Sequence, residues 1–217
     1  MTFTGIANLA GGTGADVFQF QPGATVAGKI TGGGGADWLD YSAYTTPVSV
    51  NLQTGAATGI DGGLAGGVSG AHNVRGSATA ANTLTGDATG GVLVGGAGAD
   101  NLTAGAGRSI LIGGKGADTL SGGSTDDLLI AGSTIYDAND AALMTLLGEW
   151  QSADSYTTRI SKIKSGTLAG GVKLVAGTTV LNDGAADVLT GGGGLDWFFA
   201  NLPQDKIIGL KPGEQVN

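Results

Sequence analysis

The sequence has no cysteine, so it builds neither a disulfide framework nor a thiolate metal site. It has one histidine, His72, which argues against a zinc centre, since such centres draw on several imidazole or thiolate ligands. No apolar run approaches the ~20 residues of a membrane span. The net charge of −8 speaks against nucleic acid or an anionic membrane as a partner. The glycine runs lack the Lys-Ser/Thr pair that completes a phosphate-binding loop. Glutamate is nearly missing as well. Of eighteen acidic residues sixteen are Asp, leaving only Glu149 and Glu214, whereas a merely solvated acidic surface would mix the two. Asp is the short acid that sits in turns and reaches ions close to the backbone.

Glycine is present in excess, with 44 among 217 residues, about three times the usual share. Only four prolines accompany it and 41% of residues are hydrophobic, so glycine punctuates a packed core rather than a disordered chain. The punctuation is periodic. From residue 77 the chain divides into nine-residue units: SATAANTLT, GDATGGVLV, GGAGADNLT, AGAGRSILI, GGKGADTLS and GGSTDDLLI. Each is a six-residue turn followed by three residues with an apolar centre, so Leu84, Leu93, Leu102, Leu111, Leu120 and Leu129 fall nine apart. A single short strand buries its leucine only against neighbours, so the units must stack. Two units form an eighteen-residue coil with turns on opposite edges, and coils stack as parallel strands about 4.8 Å apart. The expected fold is all-β: a right-handed parallel β-roll or β-helix solenoid.

Further copies of the unit lie at 11–19 (GGTGADVFQ), 32–40 (GGGGADWLD), 182–190 (NDGAADVLT) and 191–199 (GGGGLDWFF). ATVAGKIT and PVSVNLQTG read as strands, and GIDGGLAGGVSG as a loop. One stretch breaks the pattern. Leu143, Leu146, Leu147 and Trp150 recur at helical spacing after a candidate N-cap at Asp137, and Tyr156, Ile160 and Ile163 mark a second short helix. This two-helix insert is expected to cover an edge or an end of the solenoid. The organisation is then N-terminal β-coils over 1–76, the nonapeptide roll over 77–136, the helical insert over 137–168, and C-terminal coils over 169–217, where Trp197, Phe198 and Phe199 would cap the core. The opening MTFTGIANLAGG lacks the basic and apolar regions of a signal peptide and reads as the middle of a repeat, so Met1 is expected to begin a fragment.

These units resemble the calcium-binding RTX nonapeptide repeats, GGxGxDxUx with U a large apolar residue. GGAGADNLT, GGKGADTLS, GGTGADVFQ, GGGGADWLD and GGGGLDWFF match at every fixed position. The resemblance implies that Ca2+ lies between a turn and the same-edge turn one coil later. The first turn gives the carbonyls of motif positions one and three and its Asp; the second gives those of positions two and four and its Asp. Carried over, the best site joins Gly95, Ala97 and Asp100 to Gly114, Gly116 and Asp118. The chemistry is consistent: glycine admits turn conformations closed to residues with a Cβ, and stacked carboxylates that would repel become bridged by calcium. One edge carries Asn82, Asp100 and Asp118, the other Gly91, Ser109 and Asp127, with Arg108 beside Ser109. Calcium is therefore expected along the first edge, with the second largely dry within 77–130. Asp16 and Asp37, 21 apart, are expected to share an edge, and Asp187 and Asp196, nine apart, to face opposite edges. All are candidate metal ligands.

The layout also resembles the C-terminal region of large secreted bacterial RTX proteins. That implies export by a type I system reading an uncleaved C-terminal signal, for which LPQDKIIGLKPGEQVN is the candidate stretch. The expected function is a non-catalytic calcium-binding module, extracellular or at the cell surface, which folds on binding calcium outside the cell. The alternative is a self-assembling subunit of an extracellular filament or surface layer, a homo-oligomer joined through solenoid ends whose strand edges template further pairing. A third reading, a calcium-dependent polysaccharide lyase, would need Arg75, Arg108 or Lys115 gathered with an Asp cluster. A Ser69–His72 hydrolytic pair lacks any nucleophile-elbow signature.

Overall fold

The leucine register becomes two sheets that share the chain strand by strand. The computed structural model describes residues 6–217, so Met1 lies outside the described residues. An eight-stranded parallel sheet contains, in spatial order, Val17–Gln19, Asp37–Asp40, Ala71–Arg75, Val92–Ala97, Ile110–Lys115, Leu128–Ile130, Trp197–Phe199 and Gln215–Val216. A seven-stranded sheet contains Ala56–Ala57, Ser49–Asn51, Thr83–Thr85, Asn101–Thr103, Thr119–Ser121, Val188–Thr190 and Lys206–Ile208. Only its first two strands pair antiparallel. From Thr83 to Ile130 the chain alternates between the sheets.

Leu84, Leu102, Leu120, Leu189 and Ile207 lie opposite one another in the seven-stranded sheet. Val74, Leu93, Leu111, Leu129, Phe198 and Val216 do so in the other. The six leucines of the repeat are at most 1% exposed and form one inner core with Leu189 and Phe198. Residues flanking each central position point the other way, and here the sheets differ. Val92, Val94, Ile110, Ile112, Leu128, Ile130, Trp197 and Phe199 are buried in a second core. The corresponding positions of the other sheet are Thr83, Thr85, Asn101, Thr103, Thr119 and Ser121, all partly or fully exposed.

The second core exists because the insert lies on it. Leu129 pairs with Phe198 across 69 positions, where neighbours within the nonapeptide repeat are 18 apart, so 51 residues are looped out. The loop is held at its base by an antiparallel ribbon, Ser133–Thr134 with Val180–Leu181. Helices α1 (Asp140–Trp150) and α2 (Tyr156–Ser165) bury Leu143, Leu146, Leu147, Trp150, Tyr156, Ile160 and Ile163. Their apolar partners are the outer residues of the eight-stranded sheet. The insert thus covers a face, not an edge or an end, and it reaches beyond 137–168. The N-cap of α1 is Asn139, whose side chain accepts from Ala142 N at 3.1 Å. Asp137 instead takes the Thr134 amide and hydroxyl, at 3.0 and 2.6 Å. Arg75 ties the insert to the sheet: its guanidinium meets Asp40 at 3.2 Å and Asp140 at 2.6 Å, and lies over Trp38.

The C-terminus departs from expectation too. Trp197–Phe199 is an interior strand rather than a cap, and LPQDKIIGLKPGEQVN supplies the further strands Lys206–Ile208 and Gln215–Val216. At the N-terminal end a small parallel sheet, Leu9–Ala10, Ile30–Thr31 and Val68–Ser69, joins the stack, the last strand arising within the expected loop. Phe20 and Tyr41 stack beneath it with ring centroids 4.5 Å apart. Among the described residues no helix is long and apolar enough to cross a membrane.

Candidate metal centre

Turns joining the two sheets fall on two edges. On the first edge, where the chain leaves the eight-stranded sheet, the turns end in Asn82, Asp100, Asp118, Asp187 and Asp205, just ahead of the next strand. Each residue donates its backbone N–H to the next carboxylate: Asn82 to Asp100 Oδ1 at 2.5 Å, Asp100 to Asp118 Oδ1 at 2.7 Å, Asp118 to Asp187 Oδ1 at 2.7 Å, and Asp187 to Asp205 Oδ1 at 3.2 Å. The parallel register sets this ladder, because it stacks each motif position on its equivalent.

One oxygen of each carboxylate is thereby fixed, and the other is left over. Oδ2 of Asp100, Asp118 and Asp187 is buried without a hydrogen-bond partner. In Asp100 and Asp118 that oxygen curls back under the first glycine of its own turn. A Cβ at Gly95 would collide with both Asp100 Oδ2 and the Gly113 carbonyl, and one at Gly113 with both Asp118 Oδ2 and the Ala131 carbonyl. Gly114 and Gly116 adopt φ of 111° and 112°, values that L residues with a Cβ avoid. Ala97 lies beside Lys115 in register, and Gly96 beside Gly114. The carbonyls of Gly96 and Gly98 point toward Gly114 and Gly116, and that of Gly113 toward Gly95, whereas Gly95 O faces Asn82 of the preceding turn. The parallel stacking thus reverses the expected set of Gly95, Ala97, Gly114 and Gly116. Acceptor oxygens from carboxylates and turn carbonyls converge about these Oδ2 atoms, which no donor reaches. Burial drives the Asp118 carboxyl up to about 8, helped by the charges of Asp100, Asp187 and Asp183 and opposed by the Asp100 amide. Burial likewise raises Asp100 and Asp187 to about 6. Carboxylates held so far from their ordinary range call for a counter-charge.

Asn82 differs from the aspartates below it. Its Oδ1 accepts from Ser77 N at 2.9 Å, while its Nδ2 faces Ala80 O at 2.7 Å, Asp100 Oδ1 at 2.8 Å and Gly95 O at 3.2 Å. It presents donors, not an oxygen, to the Asp100 turn.

The second edge leads into the eight-stranded sheet and carries Asp16, Asp37, Gly91, Ser109, Asp127, Asp196 and Glu214. Asp16 N donates to Asp37 Oδ1 at 2.8 Å, so these two share an edge. Gly91 and Ser109 then interrupt the carboxylates, and Asn73 bridges the gap, giving Nδ2 to Asp37 O at 3.1 Å and accepting from Val92 N at 3.0 Å. The ladder resumes from Ser109 to Asp127 and from Asp127 to Asp196, both at 2.7 Å, and from Asp196 to Glu214 at 3.4 Å. Asp187 and Asp196 therefore stand on opposite edges. Asp127 is satisfied at both oxygens, since Oδ2 also accepts from Gly123 N at 2.6 Å. Cations approach this edge. Arg159, 1% exposed, contacts Asp126, and Arg108 lies 3.8 Å from the same carboxylate. Burial opposes ionisation of Asp126, but the Leu195 amide and Arg159 prevail and hold it below its usual range.

Sequence reasoning missed Asp205, Glu214 and Asp183. The first two were findable: counting eighteen from Leu189 and Phe198 reaches Ile207 and Val216, each two residues after the acid. Asp183 Oδ2 accepts from Gly116 N at 2.7 Å, a contact across the insert that no local pattern announces. His72 Nδ1 lies 2.5 Å from Asp87 Oδ2, while Ser69 Oγ points to Thr31, so the two do not form a catalytic pair.

Among the described residues no three carboxylate or imidazole side chains converge. A cation at the first edge would therefore take most of its oxygens from backbone carbonyls, with an aspartate from each turn. That donor set is all hard oxygen, which suits calcium and not a thiolate- or imidazole-seeking metal. Comparison with known families agrees. The model for the RTX calcium-binding nonapeptide repeat, HemolysinCabind, matches in four copies, at residues 29–43, 85–114, 94–129 and 183–209. These segments contain Asp37, Asp100, Asp118, Asp187, Asp196 and Asp205. No curated protein matches the chain.

Proposed function

We propose that this RTX-repeat protein is a non-catalytic, calcium-stabilised module of a secreted or cell-surface bacterial protein, its two sheets forming a right-handed β-roll. The observation that carries this reading is the row of buried, partnerless oxygens on Asp100, Asp118 and Asp187. Calcium would be held by Asp100 and Asp118 with the carbonyls of Gly96, Gly98 and Gly113, which face the space between the two turns, and by the Asp118–Asp187 pair below. Bound there, it supplies positive charge that turns carboxylate repulsion into a bridge between coils.

Two carboxylates and several carbonyls make a modest site, in the range of extracellular calcium modules, about 10⁻⁴–10⁻³ M. Cytosolic calcium would leave it empty and the chain export-competent; calcium outside the cell would then supply folding free energy. Circular dichroism combined with calcium calorimetry tests the reading. The β-signal should weaken markedly in chelator and be restored between micromolar and millimolar calcium, together with ion binding. An unchanged spectrum in chelator, or folding at nanomolar calcium, overturns it.

A filament reading rests on Lys206–Ile208 and Gln215–Val216, which have a strand neighbour on one side only, leaving edges able to pair with another copy. Electron microscopy of the calcium-loaded protein tests it: filaments support that reading, and monodisperse particles exclude it.

A further inference from the structure

The final turn on the second edge brings a cation of its own. Lys211 Nζ donates to the carbonyls of Gly192 and, at 3.0 Å, of Gly194. It lies 3.5 Å from Glu214 Oε1 and 3.8 Å from Asp196 Oδ2. Asp196 Oδ2 is buried and has no hydrogen-bond partner, and the Asp196 side chain is fully buried. The ammonium is thus surrounded by two turn carbonyls and two carboxylates from consecutive same-edge turns, the kind of oxygen set that faces no side-chain cation around Asp100, Asp118 and Asp187.

We propose that Lys211 is a tethered substitute for calcium, occupying the cation position of the last rung on the second edge and excluding the ion from it. The inference rests on the calcium reading above and specifies which rung that reading does not apply to. The chemistry favours it. A lysine ammonium is a compact point charge with three donors and no acceptor, so it satisfies carbonyls and carboxylates at once. Held on the next turn, it competes at a high effective concentration that free calcium must match.

Lys211 is 37% exposed, and a surface ion pair contributes little to stability; the deciding measurement is therefore an ion count. Native mass spectrometry of the folded full chain in saturating calcium is compared for the wild type, Lys211→Met and Lys211→Arg. Lys211→Met keeps the apolar stem and removes the charge, so it should bind one calcium more than the wild type, while Lys211→Arg should match the wild-type count. An unchanged count for Lys211→Met beside a wild type that binds calcium overturns the Lys211 inference alone. So does a Lys211→Met variant that stays unfolded in saturating calcium, because the ion then fails to replace the ammonium. A wild type that binds no calcium overturns the calcium reading itself, and this inference with it.

Discussion

Along the first edge Asp100, Asp118 and Asp187 each leave a buried oxygen without a partner. Along the second, Asp127 has both oxygens filled by backbone amides, Asp126 is met by Arg159, and Asp196 lies near Lys211. The insert is the reason for much of this difference. Arg159 comes from α2 and also donates to Trp150 O at 2.7 Å, Tyr156 donates its hydroxyl to Asp196 O at 2.7 Å, and Arg108 reaches Ser152 O at 2.8 Å. The second edge is therefore laced to the insert by groups the chain carries itself, from Asp126 to Asp196, whereas the first edge has no such cation among the described residues. At its N-terminal part the second edge resembles the first, because Asp37 Oδ2 is also buried without a partner beneath Gly32.

The sharpest way to break this comparison is to remove a cation from the second edge. Arg159→Met leaves Asp126 without its buried partner and should lower stability by about 3 kcal/mol, equally with and without calcium, in urea unfolding followed by fluorescence. A loss confined to calcium-loaded protein would contradict the assignment. On the first edge the pattern inverts. Asp118→Asn should lose about 2.7 kcal/mol when calcium stands a hundredfold above its Kd, yet gain stability in chelator, where the wild-type carboxylate is a buried charge with no partner. Equal unfolding midpoints for wild type and variant in chelator would show that the charge is not strained there.

pH acts on both edges, since burial also raises Asp127 and Asp196 to about 7. Folded-state values of about 8 for Asp118 and about 6 for Asp100 and Asp187 lie above the ordinary carboxyl range. For groups raised in this way the protonated form favours the fold. Their contribution is complete below the unfolded value near 4 and is lost as pH rises through 6 to 8. Calcium-free protein should thus hold more β-structure at pH 5 than at pH 8 by circular dichroism, while calcium affinity should fall on acidification because protons compete for the same oxygens. The smallest effect is expected at Ser109, whose hydroxyl bonds only Gly107 O at 3.1 Å. Ser109→Ala should change stability by no more than about 1.5 kcal/mol and leave the calcium count unaltered.

What the sequence made legible follows its covalent spacing. A strict nine-residue period dictates which residues stack, so the inner leucines and the Asn82–Asp100–Asp118 column could be read directly. The triplets VLV, ILI and LLI against TLT, NLT and TLS also announced one outer face that must be covered and one that can stay wet, because strands buried on both sides lack alternation. The apolar helix faces of the insert match that dry face, which is why it covers a sheet face rather than the expected edge or end. In the last two turns ANLPQD and GLKPGE have lost the motif's glycine pattern while keeping its acid, so only the apolar period marks them. Asp137 satisfied the N-cap rule as well as Asn139 did; the nearby Thr134 claimed its carboxylate. Arg159 contacts Asp126 from 33 positions away, and no local pattern connects them.

The looped-out insert also sets an order of assembly. Stacked repeats grow by adding units to neighbours already in place, and within residues 83–130 each new strand closes a loop of one eighteen-residue coil. The step from Asp118 to Asp187, or from Leu129 to Phe198, must close 69 residues instead. Loop entropy grows only logarithmically, so the added cost is about 1.2 kcal/mol, a delay rather than a block. Growth is thus expected to pause at this rung until α1 and α2 settle on the apolar face, making the insert a checkpoint between two halves of one stack.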